Sequence, residues 1–201
     1  MKAKTVLHFN AAKWRVRIAL SLALHQKDVP DDSETLDKAM GFFKAGNYKS
    51  AVNAFTVLIN AREGVHATYL EILLRCLAHR AACWLKLDNY AACIQDCNAS
   101  IAVLATETEI LTKELKKDDG REQQRIQTHA RVLARRGMAY FQMGSVEKCI
   151  SDYQQALELA PGDHGLMQDL EQAQKIYNDE HDEQNIGETE QLTKQPLAIT
   201  S

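Results

Sequence analysis

Two arginines four residues apart, Arg131 and Arg135, are the side chains of this sequence best suited to recognition chemistry. On a helix that spacing projects both guanidinium groups from one face, and each planar fork can grip a carboxylate through two parallel hydrogen bonds. An acidic peptide, or one ending in a free carboxylate, suits such a pair. A second cluster combines Cys93 and Cys97, which share a helical face, with Cys83 and His79. Thiolates and imidazole are zinc ligands, yet buried free cysteine also behaves as a small hydrophobe. These cysteines fall where paired helices pack, so they are read as core, and no metal and no cofactor are expected. The five cysteines Cys76, Cys83, Cys93, Cys97 and Cys149 form no disulfide-like framework and suit a reducing cytosol.

Other chemistries find little footing. The sequence holds no nucleophile elbow, phosphate-binding glycine loop, HExxH helix or dinucleotide fingerprint, and its seven histidines are scattered, so the protein is not expected to be an enzyme. The arginines of 121–136 are offset by Glu122 and by the acids after Asp179, which argues against the basic, aromatic-interleaved stripe of a nucleic-acid binder. No run of about twenty apolar residues offers a membrane span. The net charge of −3 does not discriminate among partners.

The elements that must position the arginines are helices. With 9 Gly, 3 Pro and many Ala, Leu, Glu, Gln and Lys, the composition predicts an almost wholly helical chain. Asp32 or Ser33 can cap a first helix after the Val29-Pro30-Asp31 break. Helix pairs are expected near 33–45 and 48–62, 65–87 and 90–117, and 122–143 and 146–159, followed by a terminal helix over 164–178. From Asp179 to Ser201 the composition turns acidic and polar, which predicts a disordered tail.

These pairs repeat one pattern. Leu133, Arg136, Gly137, Tyr140, Gly144, Cys149, Tyr153, Ala156 and Pro161 follow the spacing of the tetratricopeptide repeat, TPR, a helix pair of about 34 residues. Ala39, Phe42, Gly46, Tyr48, Ala51 and Phe55 fill the matching places of a first copy, and Ala81, Trp84, Asp88, Tyr90, Cys93 and Cys97 those of a second. The copies start near Asp32, Leu74 and Ala130, with roughly 8 and 22 residues beyond the period inserted between them. The chain therefore resembles a TPR protein: an all-α, right-handed α-solenoid of three TPR helix pairs plus a C-terminal capping helix. Expected boundaries are an N-terminal extension over 1–31, a TPR domain over 32–178 and the tail over 179–201.

That resemblance carries functional implications. The repeats are similar to those of TPR co-chaperones that grip the C-terminal carboxylate of heat-shock chaperones with a five-residue clamp. The clamp positions hold Leu36, Met40, His79, Arg131 and Arg135 here. Arg131 and Arg135 keep the chemistry, His79 could donate one bond or carry charge, and Leu36 and Met40 supply no donor. The implied chaperone grip is weak or altered. The stretches from Leu77 to Leu87 and from Ala130 to Gly137 resemble the C-terminal TPR region of the dynein axonemal assembly factor 4 family. It implies a cytoplasmic, cilium-linked role in dynein-arm preassembly, with dynein subunits as clients. The basic, acid-free residues 1–27 leave mitochondrial targeting, and hence an unrelated TPR receptor, open as an alternative.

Overall fold

A computed structural model describes residues 33–60, 67–114 and 119–193. The expected N-terminal extension, the targeting-like segment 1–27 and residues 194–201 lie outside the described residues. Within them the chain forms seven α-helices and no strand: α1 Ser33–Lys44, α2 Tyr48–Asn60, α3 Ala67–Lys86, α4 Tyr90–Glu114, α5 Asp119–Gln142, α6 Val146–Leu159 and α7 His164–Thr193. Each packs on its neighbour in sequence, and α3 also touches α1 and α5, the three forming the inner layer of a right-handed solenoid.

The turns within the pairs share one construction. Gly46 and Gly144 adopt positive φ, and the next amide reaches back across the turn, Asn47 N–H to the Phe42 carbonyl at 2.9 Å and Ser145 N–H to the Tyr140 carbonyl at 2.9 Å. The middle turn is built the same way around a non-glycine residue, Asp88 with φ 56°, and Asn89 N–H donates to the Trp84 carbonyl at 2.9 Å.

Repeat places become core places. Ala39 and Phe55 are fully buried between α1 and α2, as are Ala81, Cys93 and Cys97 in the second pair. In the third pair Gly137 lies so close to α6 that a Cβ there would stand 2.7 Å from Tyr153 Cε1. Small and large residues thus alternate across each pair to keep packing dense.

The repeats are tied by two copies of one polar device. Arg80 on α3 donates to both carboxylate oxygens of Asp96 on α4 at 2.8 and 2.7 Å, and its third nitrogen reaches Thr56 Oγ1 on α2 at 2.9 Å. Arg136 on α5 does the same with Asp152 on α6 at 2.8 and 2.6 Å and with Asn98 on α4 at 2.6 Å. Each fork therefore closes its own pair and pins the preceding one.

One expectation changes. The terminal helix does not end near residue 178 but runs to Thr193, through the segment whose acidity predicts disorder. Glu and Gln are good helix formers, and the segment from Asp179 to Thr193 contains no proline, so propensity carries the helix onward where apolar content alone predicts none.

Candidate functional site

The inner faces of α3 and α5 gather the candidate residues. His79, on α3, is half-buried, with its ring stacked on Phe55 at a centroid distance of 5.9 Å and edge-on to Phe43 at 5.3 Å. Burial, followed by the positive charges of Arg135, Arg75 and Arg131, pulls its pKa from 6.5 down to about 4. The ring is neutral at physiological pH. The option of a charged His79 is corrected by this setting: two phenylalanines desolvate it and three cations repel its proton.

Arg135 is half-buried and reaches from α5 to α3, where Nη1 donates to the Ala78 carbonyl at 2.9 Å. That single bond anchors the fork and leaves other N–H groups free to bind. Arg131 is exposed one turn earlier. Neither has an acidic partner among the described residues, whereas the adjacent Arg136 is held by Asp152 with side-chain exposures of 19% and 4%. Of two consecutive arginines, one is structural and the other faces the groove.

The structure adds Arg75, which the sequence frame could have supplied. It precedes His79 by four residues as Arg131 precedes Arg135, is exposed, and acts on the same imidazole. In the first repeat, Leu36 is buried at 5% exposure and Met40 packs half-buried against the core, and the places that match Arg75 with His79 and Arg131 with Arg135 fall instead on Ser33 and the exposed Asp37. Leu36 thus belongs to the interior rather than to the groove wall, because its helix turns that side chain onto the buried cluster with Phe55 and Cys83.

The thiols are core residues. All five cysteines are free and buried, and burial pushes Cys83 up to about 11. Cys93 and Cys97 lie one turn apart on α4 and are fully buried. Among the described residues no group of three or more His, Cys, Asp or Glu side chains is arranged to hold a metal ion, and no helix is long and apolar enough to cross a membrane.

Against known proteins, the tetratricopeptide repeat family model matches residues 130–163. Residues 130–163, the C-terminal half of α5 with α6, are thus a TPR, and the chain is similar to TPR proteins. Its sequence is similar to rat dynein axonemal assembly factor 4, 27% identical over 140 residues, which cover 70% of this chain and 28% of that relative. The chain thus spans little more than a quarter of that relative's length. Among solved structures, the first TPR of Spaghetti (RPAP3) bound to the HSP90 peptide SRMEEVD has the same fold, with a TM-score of 0.53 and 19% identity over 76% of this chain and 99% of that one. The second TPR domain of human RPAP3, in complex with the HSP70 peptide SGPTIEEVD, gives a TM-score of 0.50 and 25% identity over 70% of this chain and 92% of that one.

Proposed function

We propose that this protein is a co-chaperone-type adaptor whose inner groove binds an extended acidic peptide, such as a chaperone C-terminus. Arg131 and Arg135 hold the anionic groups, and neutral His79 supplies an auxiliary N–H. The observation that carries this reading is the contrast among the arginines: Arg80 and Arg136 are locked to buried carboxylates, while Arg131 and Arg135 meet no acid among the described residues. The acidic peptide held by the similar RPAP3 domain supports the choice of ligand class.

Because the first repeat sets Ser33 and the acid Asp37 at the matching places, and Leu36 and Met40 offer no donors, the grip on a chaperone terminus is weaker than a complete clamp would give, by about 1–3 kcal/mol for each desolvated group left unpaired. Similarity to dynein axonemal assembly factor 4 supports a role in cytoplasmic preassembly of axonemal dynein arms, with dynein subunits as clients. Fluorescence anisotropy with labelled SGPTIEEVD tests the groove. Arg131→Ala combined with Arg135→Ala should weaken binding at least about tenfold with helicity unchanged by circular dichroism; equal binding by both proteins rejects the reading.

A further inference from the structure

Three guanidinium groups converge on this groove where a simple carboxylate needs one. Arg135 on α5 crosses to the carbonyl of Ala78, beside His79 on α3, at 2.9 Å; Arg131 stands one turn before Arg135 and Arg75 one turn before His79, and the two helices are in contact. Neither Arg75 nor Arg131 has a hydrogen-bond or ion-pair partner among the described residues, and Arg135 gives one N–H to a backbone carbonyl. Elsewhere the protein neutralises its inner arginines with aspartates, at Arg80 and Arg136, so the missing acids at this spot leave concentrated positive charge.

The charge lies to one side. On α1, Met40 and Phe43 pack half-buried, and Phe43 meets the opposite edge of the site through its contact with His79. The exposed Asp37 occupies in the first repeat the place of His79 and Arg135, four residues after Ser33 as they follow Arg75 and Arg131. It repels an anion from the α1 side. An acidic terminus with two separated carboxylates wants donors on both walls, and at the matching places only the α3–α5 wall carries arginine.

Building on the peptide-groove reading, we propose that Arg75, Arg131 and Arg135 form a pocket for one compact dianion, the phosphate of a phosphorylated serine or threonine, with an apolar neighbour of that residue resting against Met40 and Phe43. A phosphate carries about −1.5 to −2 charges and three strong acceptor oxygens, enough to engage several forks at once, whereas one carboxylate satisfies a single fork. Arg75 is then a binding residue in its own right.

The test uses the full chain and capped peptides Ala-Ala-Leu-X-Leu-Ala-Ala in which X is serine, phosphoserine or glutamate, alongside SGPTIEEVD, all measured by anisotropy. The phosphoserine peptide should bind at least about tenfold more tightly than the serine and glutamate peptides. Arg75→Ala should remove most of that gain, and Arg75→Lys should restore only part of it, since lysine keeps the charge without the fork. Phosphoserine binding no tighter than glutamate, or a gain untouched by Arg75→Ala, overturns the proposal. If SGPTIEEVD still binds in that case, the peptide groove stands and only the dianion pocket falls; if the phosphopeptide binds while SGPTIEEVD does not, the pocket stands and the chaperone-terminus reading falls.

Discussion

His79 reports directly on how the groove is charged, and its titration follows from its surroundings. Phe43 and Phe55 remove water from the ring, and Arg135, Arg75 and Arg131 add repulsion, so the folded protein holds it neutral down to about pH 4 while the unfolded chain protonates it near 6.5. Because the folded value is the lower one, the unfolded state binds more protons between those values. Stability contributed by the neutral ring is therefore complete above about 6.5 and drains away as pH falls towards 4. For a fully buried ring the gap would correspond to about 3 kcal/mol; for this half-buried one, screening by solvent reduces it to about 1–2 kcal/mol. His79→Gln keeps a donor and an acceptor but cannot titrate. Urea unfolding at about pH 7 and about pH 4.5 should show the wild type losing about 1–2 kcal/mol more than the variant. His129, whose pKa is likewise lowered by burial and by Arg136 and Arg125, cancels in that comparison. The His79 Cε1–H resonance should titrate near pH 4 in the wild type and, since burial outranks charge, should stay below 6.5 in Arg135→Ala. A midpoint near 6.5, or equal acid sensitivity of wild type and variant, refutes the placement of the three arginines around a desolvated ring.

Further outcomes concern the scaffold. Gly137→Ala puts a methyl 2.7 Å from the Tyr153 ring and 3.3 Å from Asp152 Cβ, and should cost about 1–3 kcal/mol in thermal or urea unfolding. Gly41→Ala, with nothing within 4 Å of the new methyl, should instead stabilise by about 0.5–1 kcal/mol; the same sign for both would contradict the packing described. Asp96→Ala leaves the Arg80 fork half-buried without its carboxylate and should cost about 3–5 kcal/mol, while joint replacement by Arg80→Met and Asp96→Leu should cost far less. Native protein should react slowly with a thiol reagent at neutral pH, and all five buried cysteines should react at once in denaturant; fast labelling of Cys83 or Cys149, both held up at about 11, would show an open core.

Much of the solenoid is legible in sequence because its rules are local and repeated. Ala39, Ala81 and Gly137 recur at one place in the frame, and the structure presses all three against the partner helix. Gly46 and Gly144 mark turns by being the residue type that tolerates positive φ, and Asp88 falls at their equivalent and adopts the same conformation. The acidic stretch after Asp179 is harder, since low apolar content and high helix propensity point opposite ways and only the structure shows which prevails through Thr193. The site is the least legible part. Arg135 and Arg136 are chemically identical neighbours, and which of them is free depends on an aspartate sixteen residues away on another helix. Arg75, by contrast, is within reach of the repeat frame, since it precedes His79 by four residues as Arg131 precedes Arg135.

That distant aspartate also belongs to a joint that recurs between the described pairs. Arg80 and Arg136 each need a carboxylate in their own pair and a side-chain oxygen in the pair before, Thr56 and Asn98 respectively. The equivalent place in the first pair is Lys38, exposed and with Ala54 where the aspartate would stand. At the other end the same place on α7 is Leu170, packed into the apolar cluster of the third pair, and Gln154, the counterpart of Thr56 and Asn98, is left exposed. Among the described helices, the joints between pairs are polar and the joint to α7 is apolar. The locking arginines therefore serve the joints between the described pairs, which leaves Arg75, Arg131 and Arg135, five residues before or immediately beside them, as positive charges that the groove can offer to a partner.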